Sequence, residues 1–246
     1  MDVLRHPQNA VGEIIMNTSI TPTQPFQGLT VGLLSLGQTP RPDLATSVEH
    51  FLPGAKILVK GGLDDLSPED TVTLALDPGT YPLMVLLADR SSLEVDMKRL
   101  IPLLAHKVEE LYREGADYAV LMCSGGFPAF TANIPVIRPV SLLLAFAETA
   151  APRKRVGIIN PIASQQRPAA VHWEQQGFTV HSAFASPFEP EAVCAAAQKL
   201  AAQGVECIVL DCMSFTEELR TVVQKNITIP ILVPMRMVRT FFQAVL

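Results

Sequence analysis

Ala119-Val-Leu-Met-Cys123, continuing as Ser124-Gly125-Gly126, and Cys207-Ile-Val-Leu-Asp-Cys212, continuing as Met213-Ser214, are two short apolar runs that each stop on a cysteine. Such runs, bounded by turn-forming residues, read as strands buried on both faces, as in parallel sheets. Ligands of open α/β sheets bind just beyond the carboxyl ends of the strands. Cys123 and Cys212 therefore sit where two thiols can face one small substrate from opposite sides.

The pattern around these runs occurs twice. Val31-Gly-Leu-Leu-Ser-Leu-Gly37 reads as a first strand, 44–52 as a helix with Asp43 as its N-cap, and 57–59 as a second strand. Ser67-Pro68-Glu69-Asp70 opens a short helix to Leu76, because it combines a cap, a proline at the first position and acids in the first turn. Asp77-Pro-Gly79 is a turn, 83–88 a third strand, and 93–114 a long helix with apolar positions at Leu100, Leu103, Leu104, Val108 and Leu111, stopped by Gly115. Arg155-Val-Gly-Ile-Ile-Asn-Pro161 then echoes the first strand, 178–184 echoes the second, and 191–204 is an Ala-rich helix ended by Gly204. Ile134-Pro-Val-Ile-Arg-Pro139 and Ile229-Pro-Ile-Leu-Val-Pro234 each open a helix shortly after a strand-ending cysteine. The expected fold is α/β, with two similar lobes of parallel sheet flanked by helices and related by a pseudo-two-fold axis. The expected division is a loose tail 1–28, a first lobe 29–139, a crossover helix 140–151, a second lobe 152–234 and a C-terminal helix 235–246.

Composition narrows the function classes. Hydrophobic residues make up 48% of the 246 and charged residues 17%, which argues for extensive burial rather than disorder. A net charge of -5 without a dense Lys/Arg cluster offers no footprint for a nucleic-acid backbone, so DNA and RNA are not expected partners. No apolar run reaches the roughly 18 to 20 residues of a membrane span, and the N-terminal stretch does not read as a secretory signal. Four cysteines without framework spacing point to a reducing compartment, with the cytoplasm as the expected location. Strand geometry puts Cys207 and Cys212 about 16 Å apart, beyond disulfide reach. No Cys-x-x-Cys or clustered His pattern supports a zinc site, and no metal is expected. Apolar helix faces permit a homodimer.

Removing a proton from a carbon next to a carboxylate takes a base on one face, an acid on the other and help for the developing charge. Two cysteines fill the first two roles if their thiols ionise readily. Ser214-Phe-Thr-Glu217 fits a capping box, which would put a helix N-terminus beside Cys212, and Ser124-Gly125-Gly126 offers backbone N–H groups beside Cys123. Ser124, Gly125 and Ser214 are thus candidate substrate contacts, although Ser214 reads first as a plain helix cap. Gln38, Thr39 and Arg41 follow the first strand, where the Arg41 guanidinium has the shape to grip a carboxylate; it also reads as a surface cation. Asn160 occupies the matching loop of the second half, as a substrate donor or as an Asn-Pro turn. Cys194 and Cys207 read as small packed hydrophobes. The five histidines stand away from both cysteine motifs, which disfavours a Cys-His hydrolase.

From about residue 29 to the C-terminus the sequence resembles the AroM family, within the aspartate/glutamate/hydantoin racemase superfamily. The resemblance is carried by Gly37-Gln38-Thr39-Pro40-Arg41-x-Asp43, Gly62-Leu-Asp-Asp-Leu-Ser67, Leu121-Met-Cys123-Ser-Gly125-x-Phe127 and Leu210-Asp-Cys212-Met-x-Phe215. It implies a pseudo-symmetric two-lobed α/β fold, no cofactor, and a paired-cysteine proton relay onto which Cys123 and Cys212 map. The amino-acid racemases of the superfamily commonly carry Asn-Thr or Thr after their cysteines and a Ser-rich loop after strand one. This chain has Ser124-Gly125, Met213-Ser214 and Gln38-Thr39 there, so substrate identity does not carry over. The leading expectation is a racemase or epimerase acting on a small carboxylate-bearing or hydantoin-like compound. A single-cysteine isomerase or decarboxylase and a non-catalytic metabolite-binding protein are the alternatives.

Overall fold

The computed structural model describes residues 25–75, 77 and 79–246. Residues 1–24 of the expected tail, Leu76 at the end of the second helix and Pro78 of the turn lie outside the described residues.

The first half runs β1 (Thr30–Ser35), α1 (Pro42–Glu49), β2 (Lys56–Gly61), α2 (Pro68–Ala75), β3 (Pro82–Leu86), β4 (Ser92–Asp96), α3 (Met97–Arg113), β5 (Tyr118–Leu121) and β6 (Val136–Ile137). After α4 (Pro139–Ala150), the second half runs β7 (Arg155–Asn160), α5 (Gln166–Gln175), β8 (Thr179–Phe184), α6 (Pro190–Ala202), β9 (Cys207–Leu210), α7 (Glu217–Gln224) and β10 (Ile231–Leu232), and α8 (Pro234–Val245) closes the chain. Two four-stranded sheets result, ordered β2-β1-β5-β6 and β8-β7-β9-β10, with parallel pairing throughout. The two orders are the same, so each central strand and its cysteine-bearing neighbour have a counterpart in the other sheet.

Local sequence explains the repeat. Val31, Leu33 and Leu34 in β1 and Val156, Ile158 and Ile159 in β7 are fully buried, as strands covered on both faces require. Gly32 and Gly157 hold equivalent places in these strands. A Cβ on Gly32 would stand 2.6 Å from Leu111 of α3, and one on Gly157 would stand 3.2 Å from Leu200 of α6. The missing side chains let each helix lie close on its sheet. Proline opens α1, α2, α4, α6 and α8, at a position where its missing N–H has no intrahelical partner to lose.

The helix following each half in sequence packs on the other half's sheet. Leu143 and Ala147 of α4 are buried with Val156, Ile158, Trp173, Cys207 and Val209. Val238 and Phe242 of α8 are buried with Val31, Leu33, Val120 and Ile137. The two helices also pack on each other. This reciprocal exchange fixes the two sheets relative to one another.

Three local expectations are corrected. Residues 83–88 and the start of 93–114 form an antiparallel hairpin outside the main sheets, in which Leu83 pairs with Val95 and Val85 with Leu93. The long helix therefore starts at Met97, where Asp96 caps it by accepting from the Lys98 N–H at 2.7 Å. Alternating Leu93, Val95 and Met97 carry a strand period that merges into the helical one. Asp43 is not the cap of α1: Arg41 stands at the N-cap position without a side-chain bond, and Asp43 lies in the first turn. The capping box at Ser214 is also not formed. Thr216 caps α7 by accepting from the Leu219 N–H at 3.2 Å, so that helix starts at Glu217. Among the described residues no helix is long and apolar enough to cross a membrane.

Candidate functional site

Four strands of the two sheets deliver their carboxyl ends to one region: β1 at Ser35, β5 at Met122-Cys123-Ser124-Gly125, β7 at Asn160-Pro161 and β9 at Asp211-Cys212-Met213-Ser214. Between them lies a cleft of about 1100 Å³. Cys123, Ser124, Gly125, Arg41, Cys212 and Ser214 line it; Gln38, Thr39 and Asn160, expected as substrate contacts, are not among its lining residues. Cys194 and Cys207 also lie elsewhere, Cys207 sealed in the core of the second sheet.

Burial disfavours the thiolate at both cleft cysteines. Burial pushes Cys123 up to about 12; the Gly125 N–H, donating to its Sγ at 3.3 Å, opposes this, and negative charge at Cys212 or Asp211 adds to it. Cys212 is raised by burial too, against the lowering effect of the Ser214 N–H and hydroxyl, with Asp211 raising it further and the Met213 N–H lowering it. The sequence expectation of easily ionised thiols is thus corrected, because desolvation outweighs the N–H donors. Ser214 does not cap α7, and its N–H and hydroxyl favour the ionised form of Cys212.

The loop after β1 is a brace. Gln38 donates from Nε2 to the Leu63 carbonyl at 3.2 Å and accepts from the Ala88 N–H at 3.1 Å, which ties β1 to the hairpin. The Thr39 N–H donates to Asp64 Oδ1 at 2.7 Å. Arg41 presents its guanidinium to the cleft wall already paired with Asp43, at 2.9 Å from Nε and 2.7 Å from Nη2, with Nη1 3.4 Å from Ser35 Oγ.

His50 lines the cleft although the sequence placed every histidine away from the cysteine motifs, and Asp211 and Tyr81 also escaped sequence reasoning. Asp211 precedes Cys212, lines the cleft and is almost wholly buried. Its Oδ2 accepts from Asn160 Nδ2 at 3.1 Å, and its Oδ1 has no partner in hydrogen-bonding geometry. Burial pushes its carboxyl up to about 6, although nearby Ser124 and Asn160 favour the ionised form. Tyr81, from the segment entering β3, accepts the Gly126 N–H at 3.3 Å, and its phenol is pushed upward by burial and then by the charge of Asp211. A carboxylate closing an otherwise apolar strand was a usable signal for Asp211; Tyr81 carried none. Away from the cleft, Asp65, His106 and Glu110 group on the surface in a cation-ligand arrangement, but the Lys107 ammonium already binds Asp65 and Glu110.

Two parallel sheets of equal strand order, meeting at a cleft that carries paired strand-end cysteines, define an Asp/Glu racemase-like α/β fold. The chain belongs to the AroM protein family, whose model matches residues 31–246. Among solved structures it is similar to unliganded arylmalonate decarboxylase, with a TM-score of 0.58 and 13% identity over 88% of this chain and 91% of that one. It is also similar to the maleate isomerase of Pseudomonas putida, with a TM-score of 0.58 and 11% identity over 88% and 92%. A glutamate racemase isoform of Bacillus anthracis has a TM-score of 0.54 and 16% identity over 89% and 82%. No curated protein sequence matches the chain.

Proposed function

We propose that this protein is a cofactor-independent enzyme that moves a proton at a carbon next to a carboxylate or carbonyl of a small molecule. The observation that carries this reading is that Cys123 and Cys212, from equivalent strand ends of the two sheets, line one cleft. The similar structures, named for a decarboxylase, an isomerase and a racemase, support it. In the relay, Cys212 is the base and Cys123 the acid. Cys212 has the larger set of donors to stabilise a thiolate, from Ser214 and Met213, whereas Cys123 has the Gly125 N–H. The Cys212 thiolate takes the α-proton and becomes a thiol, while Cys123 gives its proton to the opposite face of the carbanion and becomes the thiolate. The reverse direction exchanges the roles, so either configuration is a substrate. Arg41, Ser124, Gly125 and Ser214 are the proposed substrate contacts, with Gln38, Thr39 and Asn160 supporting them.

The strong desolvation of both sulfurs favours one second reading. A thiol held neutral is ready to donate, so a single cysteine that protonates a carbanion left by decarboxylation needs no prior ionisation. Either chemistry needs reduced thiols, which supports a cytoplasmic setting, and the lining fits a carboxylate-bearing or hydantoin-like substrate.

The test is a panel of small carboxylates, amino acids and hydantoins incubated with the protein in deuterated water and followed by proton NMR. The expected result is deuterium entry at the carbon next to the carbonyl group of at least one compound, and its loss in the Cys123→Ala/Cys212→Ala double variant. Undiminished exchange in that variant would falsify the assignment.

A further inference from the structure

Tyr81 reaches the cleft wall from the short segment before β3, and its backbone is tied down on both sides. The Thr80 N–H donates to Asp96 Oδ2 at 2.6 Å and the Tyr81 N–H to the same oxygen at 3.4 Å, while the Tyr81 carbonyl accepts from the Met97 N–H at 3.0 Å. Asp96 also caps α3, so one carboxylate fastens this segment to the start of that helix. The side chain is fixed at its far end too. The Tyr81 phenol oxygen accepts from the Gly126 N–H at 3.3 Å, and the preceding amide, the Gly125 N–H, donates to Cys123 Sγ at 3.3 Å. Successive amides of one loop therefore hold the sulfur and the phenol oxygen side by side in the wall of the cleft.

A protonated tyrosine hydroxyl both accepts and donates. Here the accepting half is used, and among the described residues no group accepts its hydrogen. Burial, then the charge of Asp211, pushes the phenol upward, so that hydrogen stays in place. Arg41, by contrast, already spends Nε and Nη2 on Asp43.

We infer that Tyr81 is a further catalytic residue, whose hydroxyl donates to the ligand oxygen on which negative charge gathers when the neighbouring carbon becomes a carbanion. This rests on the proposed function for the reaction, and it holds for both chemistries there, since each passes through such a carbanion. As the C–H bond breaks and Cys212 gains the proton, the electron pair left on carbon spreads onto the carboxylate or carbonyl oxygen. The hydrogen bond from Tyr81 strengthens with that charge, and the phenol keeps its own proton. When Cys123 gives a proton to the carbon, the charge leaves the oxygen and the bond relaxes. A donor aimed in advance needs no reorganisation as the charge develops, and Asp96 and Gly126 supply the aim.

The test has two arms, the first of which needs no turnover. The chain has three tyrosines, Tyr81, Tyr112 and Tyr118, so labelling tyrosine Cζ with carbon-13 gives three NMR signals, and Tyr81→Phe identifies one. In the Cys123→Ala/Cys212→Ala background, phenylacetate should move the Tyr81 signal and leave the other two in place. Calorimetry in that background should show about tenfold weaker phenylacetate binding in Tyr81→Phe, the lower range for a hydrogen bond to a charged group. The second arm is deuterium exchange with both cysteines present. There Tyr81→Phe should lower kcat a hundred- to thousandfold, with KM changed by no more than about tenfold, as for loss of one donor to a developing oxyanion. A purely structural Tyr81 would leave its signal unmoved by ligand. A moved signal combined with undiminished exchange in the cysteine double variant sinks the relay alone. An unmoved Tyr81 signal, phenylacetate binding indifferent to Tyr81→Phe, or an unchanged kcat overturns the inference.

Discussion

Cys123→Ala and Cys212→Ala each slow interconversion of the two configurations of a substrate by roughly a hundred- to ten-thousand-fold, the usual range for loss of a positioned general acid or base. Each turnover in a two-thiol relay uses both sulfurs, one on either face of the carbon. The Tyr81 phenol is pushed upward by burial, and Asp211 accepts a hydrogen bond from Asn160. The measurement is the rate of loss of optical activity from each pure enantiomer, with circular dichroism of each variant confirming the fold. Comparable losses in both variants identify the relay. A large loss in one and a small loss in the other identifies the single-thiol proton donor instead.

Phe242→Ala lowers the stability of the folded chain by about 3–5 kcal/mol, the range for removing a buried aromatic from a packed core. Phe242 has no exposed surface, sits among Val31, Leu33, Val120 and Ile137 of the first sheet, and meets Tyr118 edge-on at 5.6 Å between ring centroids. Cavity formation is one part of the loss. The other is architectural, since this side chain anchors the C-terminal helix α8 to the sheet at the opposite end of the sequence. Globular proteins are stable by only about 5–15 kcal/mol, so such a change shifts the urea midpoint strongly. Val245→Ala, on the same helix but largely exposed, should stay within about 0.5 kcal/mol. A Phe242→Ala loss as small as that would show that α8 does not fasten the first sheet.

Much of the fold was legible because its signals are local. Apolar runs ending at Ser35, Leu121, Asn160 and Leu210 are strands, and prolines at 68, 139 and 234 open helices. The repetition of Val31-Gly32 as Val156-Gly157 corresponds to the same strand order in both sheets. The hairpin of β3 and β4 was not legible, since Leu93, Val95 and Met97 alternate at the point where the helical period of Leu100, Leu104 and Leu111 begins. The exchange of α4 and α8 was equally hidden. Their apolar faces state that something is covered, but contact between Phe242 and Val31 is a property of the assembled chain.

At the site, the position of the two cysteines could be read from strand ends, and the state of their protons could not. Ionisation depends on how much water reaches each sulfur, and only assembled packing sets that. The same limit hid Asp211. As sequence it is one acid beside a cysteine; in the fold it meets Asn160, brought from 51 positions earlier in the chain.

Everything proposed for the site depends on Cys123 and Cys212 facing a common space of small-molecule width. A short bifunctional thiol reagent, applied to the native protein and followed by peptide mapping, reads this directly. The result expected is one reagent molecule joining the peptides that contain Cys123 and Cys212, with the link absent from either single alanine variant. Separate adducts on the two residues without a link, or a link from either of them to Cys194, would contradict it.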